Sequence, residues 1–226
     1  MARVVFITGA AGNLGRAVAD AFRRQDASLV LLDRTTHGGG ADDRVLRVVA
    51  DLADAAAVQS AADAAIGRFG RIDLLCNLAG GFRMGEAVHE TRDATWDFLL
   101  DLNARSIVHT ARAVVPHMLA AGQGCIVNVG AAGAARGGAA MGAYAASKSA
   151  VARLTESMAA ELRERGIRVN CVLPTTLDTP ENRAAMSGAD PSRWVAPADL
   201  ANVIVFLASE GARAIHGASI PVSGLA

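Results

Sequence analysis

Arg3-Val4-Val5-Phe6-Ile7-Thr8-Gly9-Ala10-Ala11-Gly12-Asn13-Leu14-Gly15 stands near the start of the chain, and its reading decides the fold. Arg3–Thr8 reads as the first strand: Val4 to Ile7 are apolar without alternation, the pattern of a parallel strand covered on both faces. Glycines at 9, 12 and 15 let the backbone turn tightly and approach a ligand with no Cβ in the way. A helix predicted over Asn13 to Gln25 aims its free N–H groups and positive dipole end at that turn, an arrangement that receives phosphates. At a strand–turn–helix junction this predicts a dinucleotide site built from Gly9, Gly12, Asn13, Leu14 and Gly15. An ordinary tight turn is the alternative.

Outward from this unit the same alternation continues. Apolar strands are predicted at Leu29–Asp33, Val45–Ala50, Leu74–Leu78, Cys125–Val129, Val169–Leu173 and Ser219–Val222. Pro221 marks the last as an edge strand. Helices are predicted over Asp54–Phe69, Arg92–Ala121, Gly142–Arg165 and Asp199–Ser209. In the long helix 92–121, Trp96, Leu100, Asn103, Ile107, Ala111, Val114 and Met118 mark one stripe. The implied fold is α/β: a Rossmann-type doubly wound parallel sheet of about seven strands in a three-layer α/β/α sandwich. Residues 1–226 read as one domain, without linker or repeat.

Composition narrows the function classes. Twenty-two basic and 22 acidic residues cancel, which leaves no basic footprint for nucleic acid. No apolar run approaches the roughly 20 residues that span a bilayer. Cys76, Cys125 and Cys171 each fall inside a predicted strand without metal-ligand spacing and read as core residues in a reducing compartment. With no signal peptide, a cytoplasmic protein is expected. His37, His89, His109, His117 and His216 are scattered, so no metal site is expected. His37 precedes Gly38-Gly39-Gly40, read as a flexible loop at the adenosine end.

Asp33 ends the second strand. A carboxylate there accepts ribose hydroxyls and repels a 2′-phosphate, so NAD(H) is favoured over NADP(H), with Arg34 as a softening neighbour. Asp51 and Leu52 follow the third strand and read as adenine contacts; for Asp51 a helix N-terminal acid is the alternative. The chain holds one tyrosine, Tyr144, and one lysine, Lys148, four apart on one helix face. A phenol is a weak acid at neutral pH, and a neighbouring ammonium favours its ionised form. Arginine supplies every other basic side chain, so the retained lysine points to a specific task.

Thr8 to Gly15, Asn77-Leu78-Ala79-Gly80 and Tyr144-Ala145-Ala146-Ser147-Lys148 together resemble the short-chain dehydrogenase/reductase family across essentially the whole chain. The resemblance implies a cofactor pocket supported by Asn77, Ala79 and Gly80. It also implies Tyr144 as proton donor or acceptor, with Lys148 binding the nicotinamide ribose and lowering the tyrosine pKa. Asn103 fits the family's proton-relay asparagine; a structural polar contact is its alternative. Members usually associate through the helices that here hold Trp96–Met118 and Val151–Leu162, so a homodimer or homotetramer is expected.

Three positions depart from that pattern. Asn13 stands where the middle glycine is usual. Thr175 follows Pro174 where glycine is usual, which bears on the cofactor contacts of Pro174. Ala131, 13 residues before Tyr144, occupies the catalytic serine's place. The segment Leu173–Arg183, with Met186, Ala189-Asp190 and Ser192-Arg193-Trp194, and the stretch Ala79-Gly80-Gly81-Phe82 resemble dihydropteridine reductases. Those enzymes also lack the serine and reduce a quinonoid dihydropterin. A conjugated ring substrate is therefore expected, with a hydroxyl/carbonyl substrate or a non-catalytic redox sensor as alternatives. Residues 177–195 read as a mobile substrate lid, and Thr179 as a nicotinamide contact implied by the family. Phe82, Met84, Met186 and Trp194 are candidate pocket walls, each of which plain packing also explains, and Ala131 is expected at the substrate.

Overall fold

The computed structural model describes residues 2–35, 38 and 42–225. Its strands are β1 (Val4–Thr8), β2 (Ser28–Asp33), β3 (Val45–Val49), β4 (Leu74–Asn77), β5 (Gly124–Val129), β6 (Ile167–Pro174) and β7 (Ser219–Val222). All pairings are parallel, in the order β3-β2-β1-β4-β5-β6-β7. The reversal of strand order beside β1 opens a crevice at the C-terminal strand ends. β7 is an edge, as its proline requires. Apart from Gly38, the glycine run after His37 lies outside the described residues.

The unbroken apolar runs have a direct cause. In β1, Val5 and Ile7 join one core with Val18 and Phe22 of α1 (Asn13–Arg23) and Leu200 and Ile204 of α7 (Pro197–Leu207). Val4 and Phe6 face the other way. They meet Val58 and Ala62 of α2 (Ala55–Phe69) and Val114 and Met118 of α4 (Ser106–Ala121). Both sheet faces are thus covered by helices, which gives the three layers. Cys76, Cys125 and Cys171 are buried and free.

The long helix predicted over 92–121 is interrupted. It runs as α3 (Asp93–Leu100), a π-helical turn Asp101–Arg105, and α4. The wider turn changes the phase of the buried stripe, which follows Thr95 and Leu99 in α3 instead of Trp96 and Leu100. Trp96 is left 46% exposed. Asn103 sits inside the π turn, which ordinary helical periodicity does not signal. α5 (Gly142–Leu162) carries Tyr144 and Lys148, and the short α6 (Pro180–Ala185) lies between β6 and α7.

Candidate active site

The glycine turn is built as its residues demand. Gly9 has φ +65°, and a Cβ there would lie 2.8 Å from the backbone of Ala79. At Gly15 a Cβ would lie 2.2 Å from the Gly9 carbonyl oxygen. Leu14 and Gly15 are buried beneath the turn. Thr8 joins this turn to the next crossover: its hydroxyl accepts from Leu78 N–H at 3.1 Å and Ala79 N–H at 3.3 Å. A groove follows, lined by Gly9, Gly12, Asp33, Asp51, Leu52, Ala79 and Gly80 from the sequence reading. Ala11, Arg34, Ala50, Leu78 and Leu102 complete it. An extended ligand with an anionic centre fits this cradle, because backbone N–H groups and a helix start meet it where side chains are absent.

Asp33 is fixed at that groove. One carboxylate oxygen accepts from Ala11 N–H at 2.9 Å and the other from Arg34 N–H at 2.7 Å. Asp51 accepts from Ala53 N–H at 2.9 Å, so it supports its own turn while also lining the groove. Asp54, not Asp51, caps α2.

Asn77 behaves differently from the groove residues. Its amide donates to Asn128 at 2.8 Å and accepts from Thr110 at 2.9 Å, and Asn128 donates to Thr155 at 2.9 Å. The chain of bonds ties β4 and β5 to α4 and α5, all of it buried and paired. Asn77 therefore supports the site from within the core and does not line the groove.

The second cluster sits where α5 meets the π turn. Asn103, 1% exposed, uses its amide twice on Gly81: Gly81 N–H donates to Oδ1 at 2.8 Å and Nδ2 donates to Gly81 O at 3.0 Å. Nδ2 also donates to Ser147 at 2.9 Å, and Ser147 donates to the Tyr144 carbonyl at 2.8 Å. A Cβ on Gly80 would lie 2.9 Å from Lys148 Nζ and 3.0 Å from Asn103 Oδ1, so both side chains meet over that glycine. Lys148 donates to Val129 O at 2.9 Å, and its burial pushes the ammonium down to about 8. Burial pushes the Tyr144 phenol above its ordinary value. The ring of Phe82, itself 56% exposed, stands edge-on to Tyr144 with centroids 4.8 Å apart.

The remaining candidates are not among the residues that line the groove. Ala131 offers only a methyl group just before the turn Ala132–Ala134. Pro174 pairs with Val222 of β7. Thr179 accepts from Asn182 N–H at 3.2 Å and so caps α6. Met186 ends α6, and Trp194 follows the turn Pro191–Arg193. The segment closes on itself through a bridge between Leu177 and Val195. Ser147, Val129 and Glu181 received no role from the sequence; only Ser147 carried a signal, its place between Tyr144 and Lys148. His109 and His216 bond to the carbonyls of Leu52 and Ala159, at 2.8 and 2.6 Å. Among the described residues no group of three His, Cys, Asp or Glu gathers, and no helix is long and apolar enough to cross a membrane.

The sequence profile of the family described as short chain dehydrogenase matches residues 3–189. D-threitol dehydrogenase of Mycolicibacterium smegmatis is 36% identical over 98% of this chain and 92% of its own length. The 2-(R)-hydroxypropyl-CoM dehydrogenase of Xanthobacter autotrophicus is 36% identical over 99% and 98%. Among solved structures, 3-ketoacyl-(acyl-carrier-protein) reductase from Brucella melitensis, complexed with NADH, superimposes with a TM-score of 0.88 at 29% identity, covering 98% of this chain and 97% of its own. Levodione reductase gives 0.89 at 29% identity, covering 98% and 96%. With the glycine cradle, the groove and the Tyr144–Lys148 helix already in place, these matches establish that the chain belongs to the short chain dehydrogenase family and is an NAD(P)-dependent oxidoreductase.

Proposed function

We propose that this enzyme prefers NAD(H) and reduces a conjugated imine or quinonoid substrate, with Tyr144 as its proton donor. The observation that carries the substrate class is Ala131, a methyl group where a carbonyl substrate needs a hydroxyl. Bound in the groove, the nicotinamide supplies the hydride. Gly9, Gly12 and the start of α1 hold the phosphates, and Asp33 holds the adenosine ribose. Lys148 reaches the second ribose and, as a cation, stabilises an ionised phenol. Asn103 and Ser147 position the backbone of Gly81 and Tyr144 on either side of the reacting space. Residues 177–195 form the lid, with Thr179 toward the nicotinamide and Met186 and Trp194 toward the substrate.

A flat conjugated substrate spreads developing charge over its ring and depends less on one polarising hydroxyl. The exposed ring of Phe82 supplies a surface for it beside Tyr144. A hydroxyl/carbonyl substrate is the second reading, favoured by the names of the relatives. Ala131→Ser separates the two. Restoring the hydroxyl is expected to raise turnover of ketones at least about tenfold if carbonyls are the substrates. It should leave reduction of quinonoid dihydropterin within about twofold if the first reading holds, since that reading gives position 131 no polar task. The decisive assay measures NADH oxidation against quinonoid dihydropterin and a panel of ketones and quinones. Tight NADH binding without turnover of any acceptor would instead favour a redox sensor.

Cofactor choice has its own test. Asp33→Asn removes the charge that opposes a 2′-phosphate. The NADPH to NADH ratio of kcat/KM is expected to rise about tenfold, equivalent to about 1.4 kcal/mol. An unchanged ratio would remove Asp33 from the ribose site. A homodimer or homotetramer in the cytoplasm remains our expectation, supported by the exposed Trp96 and Val108 on α3 and α4.

A further inference from the structure

Asn13 is the first residue of α1, at the phosphate turn, and both ends of its amide are engaged. Its Oδ1 accepts from the Arg16 guanidinium at 2.8 Å. Its Nδ2 donates to the Glu181 carboxylate at 2.8 Å, across 168 residues of sequence. Arg16 also reaches the Ala11 carbonyl, which anchors this chain of bonds to the turn itself. Glu181 lies in the first turn of α6, one residue after Pro180, so it belongs to the segment that closes between Leu177 and Val195. A glycine at position 13 would offer no amide to that carboxylate. The departure at Asn13 therefore has a physical consequence: it gives α6 a hold on the phosphate turn.

The hold brings a negative charge to the positive end of α1. A carboxylate is favoured there for the reason that a diphosphate is favoured there. Two anions at one helix end repel each other. We propose that Glu181, acting through Asn13, is a positioning residue that sets cofactor affinity: its carboxylate clasps segment 177–195 onto the phosphate turn and opposes the incoming diphosphate. The consequence is a cofactor held less tightly than the cradle alone permits, with its release coupled to movement of α6. This rests on the reading of the turn as a dinucleotide site.

The test compares wild type with Glu181→Gln, Glu181→Ala and Asn13→Gly, reading NADH dissociation constants by fluorescence titration. Hydrogen exchange over residues 177–195 is followed without cofactor. Glutamine keeps an oxygen for the Asn13 amide and loses only the charge. Glu181→Gln is therefore expected to bind NADH about threefold to tenfold more tightly than wild type, with exchange unchanged. Raising the salt concentration should narrow that gap, because it screens the repulsion. Glu181→Ala and Asn13→Gly break the clasp and should speed exchange of the segment. NADH binding by Glu181→Gln equal to or weaker than wild type overturns the proposal, as does exchange that is identical in all four proteins. Wild type that binds no NADH defeats the dinucleotide reading itself, and this proposal with it.

Discussion

Tyr144→Phe is expected to lower kcat by at least about a hundredfold while leaving the NADH dissociation constant within about threefold. The substitution is clean because the ring's packing does not use the hydroxyl. Phe82 meets the ring edge-on, and the backbone carbonyl of residue 144 still accepts from Ser147. Lys148 is anchored independently on Val129 O, so the ammonium stays in place when the phenol is removed. Stability should change little, since an aromatic ring of nearly the same volume remains. The pH dependence follows from burial, which holds the phenol above its ordinary value. Below that value Tyr144 carries its proton and serves reduction; as pH rises through it, reduction slows and oxidation gains. Lys148 titrates at about 8, so the help it gives the phenolate weakens above that pH. Steady-state turnover with the best acceptor, together with NADH titration, checks the prediction. Turnover retained within about tenfold would mean that the proton comes from elsewhere.

Gly15→Ala has the largest expected effect on the fold. The added methyl would lie 2.2 Å from Gly9 O, 2.6 Å from Ala10 Cα and 2.8 Å from Ala10 C. All three are backbone atoms, so no side chain can swing aside. Either α1 moves away from the turn or the turn opens. Because α1 packs through Val18 and Phe22 on β1 and β2, its displacement disturbs the core as well as the cradle. A loss of at least about 3 kcal/mol in urea denaturation is expected, with NADH binding lost in any protein that still folds. Gly12→Ala is the comparison. Its methyl would lie 3.3 Å from Gly9 O, a contact that a small shift relieves. That variant should fold with stability within about 1 kcal/mol of wild type. It should still weaken cofactor binding, since the methyl group stands in the groove that Gly12 lines. Equal stability of the two variants would contradict the packing described for Gly15.

The sheet was legible because its evidence is local. Apolar runs buried on both faces, glycines where the chain turns and a proline at the edge each act on near neighbours in sequence. All seven strands were found within a residue or two at most ends. Tyr144 and Lys148 were legible for the same reason: four residues on one helix share a face whatever surrounds them. The π turn was not legible, because Asp101–Arg105 contains no residue that forces it. Its partner is Gly81, which meets Asn103 from another element. Only the start of the stripe, Trp96 and Leu100, failed with it, while Asn103, Ile107, Val114 and Met118 are buried as read.

Partners across long sequence distances account for the rest. The motif read Asn77 as a support of the cofactor pocket but not its partners: its amide is committed to Asn128 and Thr110 in the core. The sequence by itself determined the order of strands and helices, the glycine cradle and the single phenol–ammonium pair, since each follows from covalent neighbours and helical or strand period. The tertiary structure alone decided which side chains those groups meet: Lys148 on Val129, Asn103 on Gly81 and Ser147, Asn13 on Glu181. A hydrogen bond is a matter of a few ångströms and a direction, and residues 19 to 168 apart acquire both only when the layers have packed.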